Sequence, residues 1–435
     1  MGIKKIKGYR WIVLVLIFFA TTINYLDRQL IGLLKPTLEA EFNWSETDFA
    51  HIVMAFTAAY AIGLMFFGRL IDRVGTKIGY SISVFVWSAA GMLHALSSSV
   101  VGFAAARIGL GLGEAGNFPA GVKAIAEWFP KKERGIATGI FNAGTSIGVV
   151  MALFIVPYIL TIYGWKEVFW ITGALGMVWL FFWLRFYEIP SRQKRLHEDE
   201  LELIKNGQEN ESEEGVQTKV LPWRVLMRLP QTWAFITGKL LIDPIYWFFL
   251  FWLPSYFSST FKLDLTKPSP ELMLIYLATT IGSIGGGYFS SSLIKRGWDT
   301  IKARKFALLV FALFQISIVF CQFLSNVWLA VALMSAVVAV HQAWATNMFT
   351  LASDMFPKSS VSTVVGIGGT AGAFGGILFP MLIGFLLDTY KKAGSITAGY
   401  NVIFLICGLT YLCAWLIIHF LLKKIRENSN LSTLK

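Results

Sequence analysis

Long apolar runs, separated by short polar segments, dominate the chain. A helix needs roughly 20 mostly apolar residues to span a bilayer, and about twelve runs in this sequence reach that length. These runs lie at 11–34, 48–70, 78–97, 100–127, 135–160, 165–188, 231–258, 271–294, 304–324, 326–353, 361–387 and 398–422. Repeated runs of this length predict an all-α membrane protein with twelve transmembrane helices.

Composition and charge placement agree with membrane insertion. The 435 residues are 55% hydrophobic and 15% charged, whereas soluble domains carry roughly a quarter charged residues. With twelve spans, most of the 38 Lys and Arg fall on the side of the N-terminus. This is the positive-inside pattern, and it predicts that both termini are cytoplasmic. The net charge of +12 then reflects topology, so no nucleic-acid partner is expected. The three cysteines have no metal-binding or redox spacing, and no metal site is predicted.

The pattern also predicts two similar halves. Residues 1–189 and 231–435 each hold six spans, and the polar segment 190–230 between them is expected to be a cytoplasmic linker. The loop "EWFPKKERGIATG" in the first half resembles "DMFPKSSVSTVVG" in the second half. Duplicated six-helix halves are common in secondary transporters.

Four ionisable residues inside the spans are the first candidates for function, because charges are costly in lipid. Asp27 and Arg28 lie in the first span, and Arg107 and Glu114 lie in the fourth. If the first span ends near residue 33 and the fourth begins near 100, Asp27 and Arg107 lie about 9 and 10 Å below one face. We therefore expect Asp27 to pair with Arg107, which leaves Arg28 for an anion and Glu114 for a proton. The alternative is a set of static pairs that hold helices together.

The tenth span carries a second polar group. It contains His341, Gln342, Trp344 and Asn347 within two turns, a set suited to binding hydroxyl groups and stacking on a sugar ring. The alternative is that these side chains serve helix packing and interhelical hydrogen bonding. The stretch "GIGGTAGAFGG" that follows is expected to serve close helix packing. Lys239 and Asp243 lie nearer the inner end of the seventh span and are given no role.

Two motifs carry a family resemblance. "GRLIDRVGTK" resembles the loop between the second and third helices of the major facilitator superfamily. The resemblance implies that fold, and it implies an inner gate supported by Gly68, Asp72 and Arg73. "NYLDR" followed by "RIGLGLGEAGNFPA" resembles the anion:cation symporter family and its hexuronate-transporter branch.

The resemblance assigns roles to individual residues. It implies proton coupling by Asp27, Glu114 and Arg107, and binding of the substrate carboxylate by Arg28. Three further positions, Tyr25, Tyr60 and Thr145, are expected to line the substrate site with the tenth-span residues. At the position of Thr145, in the fifth span, some relatives have Gln. The eleventh helix lacks the Asn that aldonate-carrying relatives have, which argues against an aldonate substrate.

The expected function is proton-coupled import of a hexuronate-like sugar acid by alternating access. The alternative is a symporter or exchanger of another organic anion, such as an aldonate like galactonate or an aromatic carboxylate. No enzyme activity is expected, because the spans contain no nucleophile–base or metal constellation, and a sensor would need a larger cytoplasmic domain. Transport is expected to be driven by the proton gradient, with no cofactor. The chain is expected to act as a monomer in a bacterial cell membrane. Its expected partners are the lipid bilayer, protons and a small anionic sugar acid.

Overall fold

A computed structural model describes residues 5–44, 46–207, 220–263 and 269–427. Within these residues the regular structure is helical, apart from one isolated bridge between Ile6 and Leu196. The α-helices in chain order are α1 (Tyr9–Phe42), α2 (Glu46–Val74), α3 (Thr76–Leu93), α4 (Val100–Glu114), α5 (Asn117–Trp128), α6 (Lys131–Ile162), α7 (Trp165–Phe186), α8 (Glu198–Asn206), α9 (Trp223–Leu226), α10 (Pro230–Phe251), α11 (Leu253–Phe261), α12 (Pro270–Lys295), α13 (Thr300–Gln315), α14 (Val327–Met355), α15 (Val361–Lys392) and α16 (Ile396–Glu427).

Ten segments of the described chain are long and apolar enough to cross a membrane. They begin in α1, α2, α3, α6, α7, α12, α13, α14, α15 and α16. Two runs predicted as single spans, 100–127 and 231–258, are instead each divided between two helices. The first breaks between α4 and α5 at Ala115 and Gly116, and the second breaks at Trp252. The helical class is confirmed, and twelve spans stay a prediction.

The chain forms two compact units. Unit 1 comprises Met1–Val220 and Phe356–Ile367, and unit 2 comprises Leu221–Met355 and Gly368–Lys435. The first residues of α15 therefore belong to unit 1 and the rest of that helix to unit 2. An aromatic and aliphatic core fills one end of unit 1, where residues of α1, α4, α6 and α7 are buried together.

The short helix α8 is attached to the start of α1. Glu200 accepts hydrogen bonds from the backbone nitrogens of Tyr9 (2.8 Å) and Arg10 (3.2 Å), and also from Arg10 Nη1 (2.8 Å). The first N–H groups of a helix have no partner within the helix, and a carboxylate there also interacts favourably with the helix dipole. This part of the predicted linker is thus fixed to unit 1 by capping α1.

Glycines set the close approach of α15 to its neighbours, as the sequence predicts. A Cβ on Gly366 would lie 2.2 Å from the carbonyl oxygen of Leu64, within unit 1. In unit 2 a Cβ on Gly375 would lie 2.4 Å from the carbonyl oxygen of Leu240. Any larger residue at these positions would force the helices apart.

Candidate functional site

The central feature of unit 1 is a buried ion pair between α1 and α4. Arg28 Nε donates to Glu114 Oε2 at 2.9 Å, and Arg28 Nη2 is also 2.9 Å from that oxygen. The Glu114 side chain is fully buried and 16% of the Arg28 side chain is accessible. The expectation that Arg28 and Glu114 lie apart and unmatched is therefore wrong.

The length of α1 explains this difference. The first span is predicted to end near residue 33, where hydrophobicity falls, but α1 continues to Phe42. Arg28 lies 14 residues before Phe42, and Glu114 lies 14 residues after Val100, the first residue of α4. At 1.5 Å per residue, both lie about 21 Å from these helix ends. The correct helix boundary thus brings Arg28 level with Glu114.

Aromatic rings surround the guanidinium group of Arg28. Its Cζ lies 4.7 Å from the ring centroid of Tyr25, 4.6 Å from that of Tyr60 and 5.3 Å from that of Phe56. Cation–π contacts of this kind hold a guanidinium without neutralising it. Tyr25 and Tyr60 are thus near Arg28, as predicted. Phe56 was missed, although its position one turn before Tyr60 on α2 is a signal in the sequence.

Asp27 and Arg107 are buried beside this pair. Asp27 is 2% and Arg107 1% exposed. Among the described residues, neither oxygen of the Asp27 carboxylate has a hydrogen-bond partner. The same holds there for Nε and Nη2 of Arg107. Thr172, Glu114 and Arg107 lie close enough to Asp27 to act on its charge. The predicted Asp27–Arg107 hydrogen bond is absent there, but the two side chains share one electrostatic cluster.

A glycine in α4 makes this cluster possible. A Cβ on Gly111 would lie 2.6 Å from the carbonyl oxygen of Phe56 and 3.1 Å from the nitrogen of Tyr60. The α4 backbone therefore lies directly against α2, with Arg107 and Glu114 one turn to either side of the contact. This is a packing requirement at one position of the "RIGLGLGEAG" motif.

The predicted fifth-span position is engaged within its own helix. Thr145 is 4% exposed, and its Oγ1 donates to the backbone carbonyl of Asn142 at 2.8 Å. A neighbouring polar network was missed by sequence reasoning. In that network Asn117 Nδ2 donates to Thr21 Oγ1 at 3.1 Å, and the hydroxyl of Tyr80 donates to Asn117 Oδ1. Only the polar character of Asn117, within an apolar stretch, signals it in the sequence.

The predicted gate residues lie at the far end of α2. Asp72 accepts hydrogen bonds from Lys123 Nζ (2.9 Å) and from both the backbone nitrogen and Oγ1 of Thr363 (2.6 Å each). A Cβ on Gly68 would lie 2.5 Å from a backbone oxygen at the start of α15. Asp72 and Gly68 thus attach α2 to the first turn of α15 within unit 1. Arg73 is exposed, and Lys123, a buried lysine in an apolar stretch, was missed.

The four tenth-span candidates lie in unit 2 and are all buried, at 0–6% exposure. His341 Nδ1 is 2.5 Å from the hydroxyl of Tyr411, and Trp344 packs edge-on against that ring at 5.3 Å. Asn347 Nδ2 donates to two backbone carbonyls, one on α12 and one on α14, at 2.9 Å each. Gln342 lies on the same helix. The partners named here for His341, Trp344 and Asn347 lie inside unit 2, and the role of all four residues in substrate binding stays a prediction.

The chemistry of the unit 1 cluster follows from its charges. Two carboxylates and two guanidinium groups give a net charge of zero when all four are ionised. Arg28 is the member with accessible surface, and Glu114 holds it through one oxygen. If Glu114 takes up a proton, Arg28 loses its counter-ion and can bind an anion.

Comparison with known proteins places the chain in a family. The model of the Major Facilitator Superfamily matches residues 17–380 and 299–434. The hexuronate transporter of Escherichia coli K12 is 34% identical over 388 residues, which is 89% of each chain. The galacturonate transporter of Dickeya chrysanthemi is 36% identical over 284 residues, which is 65% of this chain and 82% of the relative. The structure of the proton:xylose symporter XylE superposes with a TM-score of 0.69 at 15% identity, covering 94% of this chain and 95% of the symporter. The chain belongs to the Major Facilitator Superfamily.

Proposed function

We propose that this protein is a proton-coupled secondary transporter that imports a hexuronate-like sugar acid across a bacterial cell membrane by alternating access. The observation that carries the proposal is the Arg28–Glu114 pair, because it links a cation suited to a carboxylate with a group that can take up a proton. The similarity to transporters named for hexuronate and galacturonate supports the substrate class.

The proposed topology has twelve spans with both termini in the cytoplasm. The ten candidate spans are completed by α4 with α5 and by α10 with α11, each pair serving as one broken span. The polar segment 190–230 joins the two six-helix halves on the cytoplasmic side. The protein acts as a monomer with no bound cofactor, and the proton gradient drives it.

The proposed cycle begins with a proton on Glu114 or Asp27. Protonation of Glu114 releases Arg28, which then binds the substrate carboxylate between the rings of Tyr25 and Tyr60. Alternating access carries both to the cytoplasmic side, where Asp72 and Gly68 form part of the gate. Loss of the proton to the cytoplasm restores the Arg28–Glu114 pair and expels the anion.

Uptake of labelled glucuronate into proteoliposomes, with the outside made acidic, tests this function. Uptake should exceed that without a gradient and should collapse with a protonophore. Arg28→Ala should abolish uptake, and Glu114→Gln should keep exchange of labelled for unlabelled substrate but lose accumulation. An absence of gradient-stimulated uptake of both glucuronate and galacturonate by the wild-type protein would overturn the proposal.

The same assay distinguishes the alternative, transport of a different organic anion. Unlabelled galacturonate, galactonate and phthalate are added as competitors of glucuronate. Stronger competition by galactonate or by phthalate than by galacturonate would assign an aldonate or an aromatic carboxylate as the substrate instead.

A further inference from the structure

A second charged pair lies in unit 2, in the middle of α10. Lys239 Nζ is 2.6 Å from Asp243 Oδ2, one helical turn away. Both residues are predicted from the sequence to lie nearer the inner end of the seventh span. Because α10 runs from Pro230 to Phe251, they lie 9 and 13 residues from its start. Charges at mid-helix are costly in a membrane and mark functional sites by default.

The helix that carries this pair is packed against α14. The ring of Phe349 on α14 lies 4.2 Å from Lys239 Nζ, and His341 on α14 stacks on Tyr246 of α10 with ring centroids 5.3 Å apart. His341 Nδ1 is in turn 2.5 Å from the hydroxyl of Tyr411 on α16. The pair therefore lies among the helices of unit 2.

A glycine on α15 sets the position of the carboxylate. A Cβ on Gly372 would lie 2.4 Å from Asp243 Oδ2, so a side chain there would displace the carboxylate from its present place. The Asp243 side chain nevertheless keeps 26% of its surface accessible, against 7% for Lys239. A carboxylate with that exposure inside a membrane helix needs water or a polar ligand beside it, because lipid offers no hydrogen bonds. Asp243, the hydrogen-bond acceptor, is thus the more accessible residue of the pair.

The charges define which ligand groups suit this place. A Lys–Asp pair has no net charge, so it has no overall attraction for an anion. It offers carboxylate oxygens that accept from hydroxyl groups and ammonium hydrogens that donate to hydroxyl oxygens. A ligand carboxylate placed against Asp243 would instead be repelled.

We propose that Lys239 and Asp243 form a subsite that binds the hydroxyl groups of a sugar acid and excludes a second carboxylate. The inference rests on the proposed function, in which the substrate is a sugar acid with a single carboxylate. It makes the pair a determinant of specificity for monocarboxylic over dicarboxylic sugar acids.

Competition in proteoliposomes tests the subsite. Uptake of labelled glucuronate is inhibited with unlabelled glucuronate or with glucarate, the sugar acid with a carboxylate at each end, and the ratio of the two half-inhibitory concentrations is measured. Wild-type protein should favour glucuronate. Asp243→Asn leaves the Lys239 ammonium without its counter-ion, so the preference should fall at least tenfold. Lys239→Gln should weaken glucuronate binding and leave glucarate excluded.

Matched variants separate specificity from damage to the fold. Gly372→Ala should weaken the preference by displacing the carboxylate, whereas Gly384→Ala, on the same helix with nothing within 4 Å of its Cβ, should leave it unchanged. The exchanged pair Lys239→Asp/Asp243→Lys restores neutrality and should regain the discrimination against glucarate that Asp243→Asn loses. The subsite would be overturned if Asp243→Asn kept the wild-type preference for glucuronate over glucarate. It would also be overturned if the exchanged pair lacked that preference while its expression and thermal stability matched those of the wild-type protein. Failure of the proposed function is distinguishable, because wild-type protein would then take up no glucuronate.

Discussion

Replacing Glu114 by Gln imitates the protonated carboxyl group and should separate substrate binding from pH. In the wild-type protein, Arg28 is held by Nε and Nη2 at 2.9 Å from one Glu114 oxygen. A substrate carboxylate must compete with that oxygen whenever Glu114 is ionised. Hydrogen bonds to charged groups contribute about 1.5–3 kcal/mol, and each 1.4 kcal/mol is tenfold in affinity. At pH 8 we therefore expect Glu114→Gln to bind glucuronate roughly 10- to 150-fold more tightly than the wild-type protein does.

Equilibrium binding of labelled glucuronate to purified protein at pH 5, 6.5 and 8 measures this effect. The wild-type affinity should fall as pH rises, because ionised Glu114 then recaptures Arg28. The affinity of Glu114→Gln should change much less over the same range. Glu39→Gln is the control, since it removes the carboxylate of a different ion pair, the i,i+4 pair that Glu39 forms with Lys35 on α1 at 3.3 Å, and it should keep the wild-type pH dependence.

A static role for the pair predicts a different outcome. Removing one partner of a buried ion pair costs about 3–5 kcal/mol of stability. If the pair served only to hold α1 against α4, Glu114→Gln would melt at a lower temperature and keep the wild-type pH dependence of binding. That combination, or weaker binding at every pH, would refute the coupling of Glu114 to Arg28.

Three further variants test the packing described above. Asp72→Asn leaves the buried Lys123 without its counter-ion, so the free energy of unfolding should fall by about 3–5 kcal/mol. Adding Lys123→Met to this variant should recover part of that loss. Losses that simply add in thermal unfolding would contradict the pairing. Glu200→Gln should weaken the cap of α1 by about 1 kcal/mol and speed hydrogen exchange in α8, and unchanged exchange would contradict the attachment. Gly282→Ala places a Cβ 1.9 Å from a backbone oxygen of α14 and should cost about 1–3 kcal/mol, whereas Gly285→Ala, with open space around its Cβ, should unfold like the wild-type protein.

Hydrophobic periodicity identified the helices and the charged residues within them, because both follow from the chemistry of lipid. It did not identify the partner of Arg28, because the end of an apolar run is not the end of a helix. Beyond residue 34, α1 continues through polar residues whose partners lie in the same helix or on α7. Glu39 pairs with Lys35 in the next turn, and Glu41 accepts from Trp165 Nε1. Ending the span near residue 33 instead of at Phe42 changed the depth of Arg28 below the helix end by nine residues, or about 13.5 Å.

Unit 2 shows a different limit of sequence reasoning. His341 was selected because it is polar in an apolar helix, yet its partner, Tyr411, is 70 residues away. No spacing rule connects them. Lys239 and Asp243 do have a visible i,i+4 spacing, but the sequence does not show that Gly372 leaves room for their carboxylate. Both cases depend on tertiary packing, which periodicity within one helix does not report.

Charge counting connects proton uptake with anion binding in the proposed cycle. Asp27, Glu114, Arg28 and Arg107 sum to zero when all are ionised, and Asp27, Glu114 and Arg107 are at most 2% exposed. A bound monoanion would leave this buried cluster with an uncompensated negative charge, which is costly at low dielectric. One added proton restores neutrality, so each of the two ligands raises the affinity for the other by the same factor. In the proposed cycle, coupling then needs no separate device, because two carboxylates and two guanidinium groups lie together and three of the four side chains are shielded from water.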